Sequence, residues 1–243
     1  MSIWGKIIGG TAGFAIGGPI GALLGVSIGA AVDVGINKAT GDPAQTKQIT
    51  FTIGVIALAA KMAKVDGRVT REEVDAFKQL YRVPAEEMKN VGRVFDMARQ
   101  SAAGFEAYAR QIAGIMADNR AILTDIIDAL FYIAESDGHL HPAELDYIRT
   151  VGAIFGFSSA DIETMIHRRA GPDVNSPYTV LGVEPNISNT ALKAHYRALV
   201  REHHPDRLMA QGVPSDLIAV ATRRAAEINV AYDQIVQQRG MGQ

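Results

Sequence analysis

The spacing of the apolar residues between 47 and 170 restricts this part of the chain to helices. These residues recur at helical intervals, and no alternating strand pattern appears among them. Local signals agree, since Thr70 and Glu73 form a capping-box sequence and Pro142 suits a first helical turn. The pattern therefore predicts an all-α bundle at 47–170. The predicted helices are 48–64, 71–81, 84–99, 104–117, 120–135, 142–155 and 159–169.

The bundle contains an internal repeat. The sequence "AKVDGRVTREE" at 63–73 parallels "AESDGHLHPAE" at 134–144, which lies 71 residues further along the chain. One interpretation is a paired cation site, because carboxylates are the ligands that hard cations prefer. Its ligands would be Asp66, Glu73, Asp137 and Glu144, with His139 or His141.

The other interpretation of the repeat is a structural turn in each copy. Glycine would form the turn, and glutamate would close the cap of the following helix. The early ligand positions of a calcium-binding loop are held by Met62 and Lys64 in one copy and by Ile133 and Glu135 in the other, and the Met and Ile side chains cannot chelate calcium. The sequence favours structural turns, and we expect no bound metal and no cofactor.

An uncharged segment precedes the bundle. Residues 7–32 contain no charged side chain, and as a helix these 26 residues would extend roughly 39 Å, longer than a hydrocarbon core of about 30 Å. We predict a glycine-rich membrane segment at 1–34, followed by a polar linker at 35–46. A cleaved signal peptide and a soluble or re-entrant segment are the alternatives.

Glycine recurs at every fourth position from residue 5 to residue 29. In lipid, such a row of small residues lets two helices approach closely, so the pattern predicts a homodimer that forms through this ladder. Lys6 and the amino terminus on one side roughly balance Lys38 and Lys47 on the other, so charge does not indicate the orientation of the segment. The ladder consists of Gly5, Gly9, Gly13, Gly17, Gly21, Gly25 and Gly29.

A second helical module is predicted at 177–243, after a short linker at 171–176 that is rich in helix-breaking residues. Ser188 can cap a helix that runs to about His203, and a second long helix is expected to open at Pro214 and end near Gln238. Each helix carries an apolar stripe that suits antiparallel packing. The stripes are Leu192, Tyr196, Leu199 and His203, and Ile228, Ala231, Tyr232 and Ile235.

The sequence His204-Pro205-Asp206 ends the first helix of this module. Proline cannot continue a helix, so a rigid polar corner is expected there. Lys193, Arg197 and Arg201 share one helical face that leads to the corner. These cations form either a docking ridge or an ordinary solvated face. A hydrolytic metal site made of His203, His204 and Asp206 is disfavoured, because adjacent side chains point apart.

Composition excludes several classes of protein. The formal net charge of −2 gives no basis for general nucleic-acid binding. The absence of cysteine excludes disulfides and cysteine-ligated zinc or iron–sulfur sites.

Several motifs in order make the C-terminal module resemble a J domain. They are Tyr178-x-x-Leu181-Gly182, Ala194-x-Tyr196-Arg197-x-Leu199, His204-Pro205-Asp206 and Ile228-x-x-Ala231-Tyr232. The Asp-Gly repeats in an all-helical bundle resemble the TerB-like domain. The order of membrane segment, TerB-like bundle and C-terminal J domain is similar to that of DjlA-type co-chaperones.

The resemblance implies a co-chaperone that is tethered to the bacterial inner membrane. It would not be an enzyme itself, but would stimulate ATP hydrolysis by a DnaK-type chaperone through His204, Pro205 and Asp206. Lys193, Arg197 and Arg201 would face an acidic surface of that chaperone. Because DnaK-type chaperones are cytosolic, a single-pass anchor would leave the C-terminal bulk in the cytoplasm. Ala198 departs from the family, where a basic residue is common at this position.

The alternative function belongs to another class. The chain would then be a membrane-linked adaptor, or a metal-sensing TerB-like protein, with the J-like module as an accessory.

Overall fold

The computed structural model describes residues 20, 43–81, 83, 85, 88–100, 102–117, 119–170, 176–210, 213 and 218–241. Throughout these ranges the backbone forms helices, turns and loops, and no strand occurs. The prediction of an all-α chain is confirmed.

The helices of the bundle follow the bounds expected from apolar spacing within a few residues. The largest difference is the first helix, which begins at Pro43 rather than at 48. Proline is well suited to a first helical position, and the polar residues after it carry no apolar spacing from which a helix could be predicted. The bundle helices are α1 Pro43–Met62, α2 Arg71–Leu80, α3 Met88–Ala98, α4 Phe105–Ile115, α5 Arg120–Ala134, α6 Pro142–Ile154 and α7 Ser159–Ala170.

Helix α1 forms the centre of the bundle. Every residue from Ile49 to Ala63 is buried, and the helix packs against α3, α4 and α5. A helix that is apolar on all sides must be enclosed by others, and this stretch has no charged residue before Lys61. The Lys61 ammonium lies over the Tyr108 ring, 5.3 Å from its centroid, and donates to the carbonyl of Ala103 at 2.9 Å.

One residue of the predicted membrane segment 1–34 is described. Ile20 is fully buried against the bundle, and its backbone N–H donates to Oε1 of Gln111 at 3.3 Å. Its side chain approaches α1 at Gly54, where an added Cβ would lie 3.0 Å from the Ile20 Cδ1 atom. The rest of the segment, with its glycine ladder, and the linker at 35–42 lie outside the described residues.

The C-terminal module contains an antiparallel pair of long helices, α9 (Asn189–Glu202) and α11 (Ile218–Gln238). Their apolar stripes meet as predicted, with Leu192 and Ile228 fully buried between them. The Tyr196 and Tyr232 rings stack with centroids 3.8 Å apart. Short helices precede and follow α9. The helices of this module are α8 Pro177–Leu181, α9 Asn189–Glu202, α10 Pro205–Ala210 and α11 Ile218–Gln238.

The two modules pack against each other. Helix α11 lies on α5, where the Arg223 guanidinium sits 4.3 Å from the centroid of the Tyr132 ring. Arg224 approaches Asp128 with 3.8 Å between Nε and Oδ2. Three side chains from α10, the connection after it and the start of α11 join the apolar cluster of the bundle: Leu208, Val213 and Ile218.

Candidate functional site

The corner at His204-Pro205-Asp206 lies between two helices. Helix α9 ends at Glu202, and the N–H of His203 still donates to the carbonyl of Leu199 at 3.0 Å. Pro205 then begins α10, because the fixed φ of proline fits a first helical position and its missing N–H would have no partner there. The sequence predicted the break but not the helix that follows it.

The polar side chains of the corner are open to solvent. The side chains of His204 and Asp206 are 53% and 81% exposed. The backbone N–H of Asp206 donates to Nδ1 of His204 at 3.2 Å, and this bond holds the two residues in one compact turn. The Asp206 carboxylate is therefore available to a binding partner.

Lys193, Arg197 and Arg201 form an exposed face of α9 that leads to the corner, and we call these three residues the cationic ridge. No carboxylate of the described part of the chain lies within ion-pair distance of them, although other arginines of the same module are paired in this way. The ridge therefore keeps its positive charge available to a partner.

His203 adjoins the corner but points the other way. It was expected to pack within its own module, and it is indeed buried, with 6% of its side chain exposed. Its partner, however, belongs to the bundle: Nδ1 lies 3.1 Å from Oδ1 and 3.3 Å from Oδ2 of Asp125 on α5. The His203 ring is buried against Asp125 whereas Asp206 is exposed, and the described residues do not assemble the disfavoured hydrolytic site of His203, His204 and Asp206.

Asp125 is the residue of this region that sequence reasoning missed. Its side chain is 1% exposed, and burial raises its pKa while the hydrogen bond and the charge of His203 act in the opposite direction. The available signal was an aspartate within the apolar stretch "AILTDIIDALF", because a carboxylate in such a helix needs a partner. Nothing in the sequence indicated which residue that partner would be.

The two Asp-Gly repeats are structural turns with reciprocal caps. Gly67 and Gly138 have φ angles of 93° and 86°, a region that glycine enters without strain. Glu73 accepts the backbone N–H of Thr70 at 2.7 Å, and Glu144 accepts that of His141 at 2.8 Å. The Thr70 hydroxyl and the His141 ring accept backbone N–H groups in return.

The repeats bring their carboxylates close enough to influence one another. Burial raises the pKa of Glu144 to about 7, and the charges of Glu73, Asp66 and Asp137 contribute to the rise. Among the residues that the structure describes, no group of three or more histidine or acidic side chains is placed to hold a metal ion. The proposed ligands Glu73 and Glu144 are instead engaged as helix caps.

Comparison with protein families divides the chain into three matches. Residues 1–41 match the model described as the co-chaperone DjlA transmembrane domain. Residues 52–167 match the model for the tellurite resistance protein TerB, and residues 176–239 match the DnaJ domain. No described helix is both long enough and apolar enough to cross a bilayer.

Several curated proteins named "Co-chaperone protein DjlA" are similar to the chain over most of its length. The protein from Aliivibrio fischeri is 28% identical over 236 residues, covering 83% of both chains. The protein from Haemophilus ducreyi is 25% identical over 232 residues, covering 80% of this chain and 81% of its own. The Escherichia coli protein is 26% identical over 220 residues, with coverage of 80% and 81%. No solved structure gives a significant match.

Proposed function

We propose that the chain, which is similar to DjlA-type J-domain co-chaperones over most of its length, stimulates ATP hydrolysis by a DnaK-type chaperone through His204, Pro205 and Asp206. The observation that supports this role is the exposed corner at the end of the cationic ridge. A partner can bind an exposed carboxylate in a fixed turn with little loss of conformational entropy, because the backbone of the turn is already ordered.

The cationic ridge would bring the chaperone to the corner. Three cations on one helical face attract an acidic surface over several ångströms and so speed the encounter between the two proteins. Lys193, Arg197 and Arg201 are exposed and have no ion-pair partner among the described residues, which supports this role. The chain would thus act on another protein's ATPase and perform no catalysis of its own.

Membrane tethering is the second part of the proposal. The match of residues 1–41 to a transmembrane domain and the uncharged character of 7–32 support an anchor at the amino terminus. We propose a single span in the bacterial inner membrane with the bundle and the J domain in the cytoplasm, where a DnaK-type chaperone and ATP are present. The glycine ladder would let two anchors associate as a homodimer.

Substitution of Asp206 by asparagine tests the proposed role of the corner. The variant keeps the size of the side chain and removes its charge from an exposed position, so the module should stay folded. We expect single-turnover ATP hydrolysis by a DnaK-type chaperone to lose its stimulation, by about tenfold or more if one charge-assisted contact is removed.

Glu202→Gln is the matched control for Asp206→Asn. Glu202 is an exposed acid at the end of α9, so its substitution removes the same charge close to the corner without touching the tripeptide. Its stimulation should equal that of the wild-type protein. Equal stimulation by the wild-type protein and Asp206→Asn would contradict the proposed function.

A further inference from the structure

The segment that carries the corner is fixed to the bundle at several points. Leu208 is fully buried, and Val213 and Ile218 are 1% and 6% exposed, all within the apolar cluster of the bundle. These three side chains all lie within about 12 residues after Asp206 in the sequence. The corner is thus exposed at its tip, while the residues behind it are embedded in the other module.

The polar part of this attachment is the contact between His203 and Asp125. Both side chains are almost fully buried, with only 3.1 Å between Nδ1 and Oδ1. A buried carboxylate is retained only with a partner, and here the partner immediately precedes the corner in sequence. The contact joins α5 to the end of α9 at the point where the tripeptide leaves the helix.

The attachment leaves the docking surface free. The cationic ridge, His204 and Asp206 are exposed although the module lies against the bundle. The contact with the bundle therefore does not cover the residues that would meet a chaperone. Because the residues next to the corner are packed into the bundle while the corner itself is exposed, this arrangement is suited to presenting the corner in one orientation.

We propose that Asp125 of the bundle is a positioning residue for the corner, acting through His203. Asp125 touches no partner protein itself. By holding His203, it fixes the direction in which His204, Pro205 and Asp206 project, so that the bundle contributes to chaperone stimulation. This inference rests on the proposed function and adds to it a residue from the other module.

Three variants of the full chain test the proposal. Asp125→Ala leaves His203 buried without its acceptor, and His203→Leu leaves a buried carboxylate without its partner, both of which are destabilising arrangements. The double variant replaces the pair with apolar side chains of similar total volume. Such a replacement is often neutral, so it should restore the attachment.

ATPase stimulation is the first readout. We expect each single variant to lower the stimulation of a DnaK-type chaperone by about fivefold or more, the lower end of typical coupling between two sites. The double variant should recover most of it. Asp146→Asn, which removes a 77% exposed carboxylate from α6 of the same bundle, is the control and should be unchanged.

A nitroxide label supplies a readout that needs no chaperone. The chain contains no cysteine, so Met209→Cys introduces a single thiol at a position on α10 that is 45% exposed. Electron paramagnetic resonance should show a restricted label in the wild-type background, a more mobile label in each single variant and a restricted label again in the double variant.

The outcomes separate the positioning role from others. Unchanged or increased stimulation in Asp125→Ala would overturn the proposal. A double variant that has a restricted label but stimulates as weakly as His203→Leu would also overturn it, because His203 would then contact the chaperone itself. A wild-type protein that gives no stimulation would refute the proposed function, while the label would still report whether the pair holds the corner. If Asp125→Ala fails to fold, Asp125→Val, which also lacks a hydrogen-bond acceptor for His203, takes its place under the same criteria.

Discussion

At the scale of single residues, the cap of α6 keeps a carboxyl group where its charge is disfavoured. Glu144 is 5% exposed and lies near three other acids of the two repeats, which together with burial raises its pKa from 4.5 to about 7. Its oxygen accepts a backbone N–H whether or not the group is ionised. At a pH between these two values, the Glu144 carboxyl group is therefore protonated in the folded state and ionised in the unfolded state.

The sign of the pH effect follows from that difference. As pH rises from about 4.5 to about 7, ionisation of Glu144 destabilises the folded state relative to the unfolded state. Glutamine can accept the same N–H and carries no charge. We expect the stability of Glu144→Gln relative to the wild-type protein to increase across this window, by about 3 kcal/mol as an upper bound, and then to level off.

Urea unfolding of both proteins at several pH values between 5 and 8 measures this change. Glu72→Gln, which removes a carboxylate from the exposed side of α2, is the matched control. A pH dependence of the same size in both variants would show that burial of Glu144 is not its cause.

His203 shows where sequence reasoning stops at this scale. Apolar spacing correctly predicted that the residue is buried, because the position of a side chain on its own helix follows from periodicity. The identity of its partner did not follow, since Asp125 lies 78 residues earlier in another module. A contact at that separation depends on how the two folded modules pack, so it cannot be predicted from the sequence around Asp125 or around His203 alone.

At the scale of helices, local chemistry predicted most of the bundle. Caps, prolines and apolar spacing fix where a helix begins and which face it buries, so the bounds of α2, α5 and α6 were predicted within one residue. The short helices α8 and α10 were missed. Their five and six residues are too few to show a periodic pattern.

Two glycines within helices should respond to alanine with opposite signs. Gly152 of α6 faces Ile162 of α7, where an added Cβ would lie 2.8 Å from Cδ1 and 2.9 Å from Cγ1. Ile162 is buried and has little room to move, so Gly152→Ala should destabilise the protein by about 1 kcal/mol despite the better helix propensity of alanine.

Gly92 of α3 is the matched control, because nothing lies within 4 Å of its added Cβ. Gly92→Ala should stabilise the protein by about 0.5–1 kcal/mol through helix propensity alone. Chemical denaturation of the two variants measures both changes. A stabilised Gly152→Ala variant would contradict the close packing of α6 on α7.

At the scale of the whole molecule, the order of the modules could be read from the sequence, but their packing could not. The motifs of the J domain are local, and the repeats of the bundle are visible as repeats. The contact of α11 with α5 depends on surfaces that form only after both modules fold, such as the Arg223 guanidinium over the Tyr132 ring. Neither residue signals this contact in its own stretch.

Self-association through the amino-terminal glycine ladder is a testable property of the whole molecule. Replacing Gly17 and Gly21 with isoleucine would widen the closest approach of two helices in lipid, so cross-linking of the full chain in vesicles should lose its dimer band. Ala22→Ile and Ala30→Ile, at small residues outside the ladder, serve as matched controls and should retain the band. An unchanged oligomer in the Gly17 and Gly21 variant would refute the proposed dimer.

The burial of Leu208, Val213 and Ile218 limits how freely these modules can be exchanged between proteins. A J domain taken from another protein would have a different connection after its tripeptide. The sites in the bundle that these three side chains fill would then be empty. The bundle, in turn, would expose apolar surface if it were expressed without its neighbour. In the design of chimaeras, His203, Leu208, Val213 and Ile218 should therefore be kept together with the bundle helices that they contact.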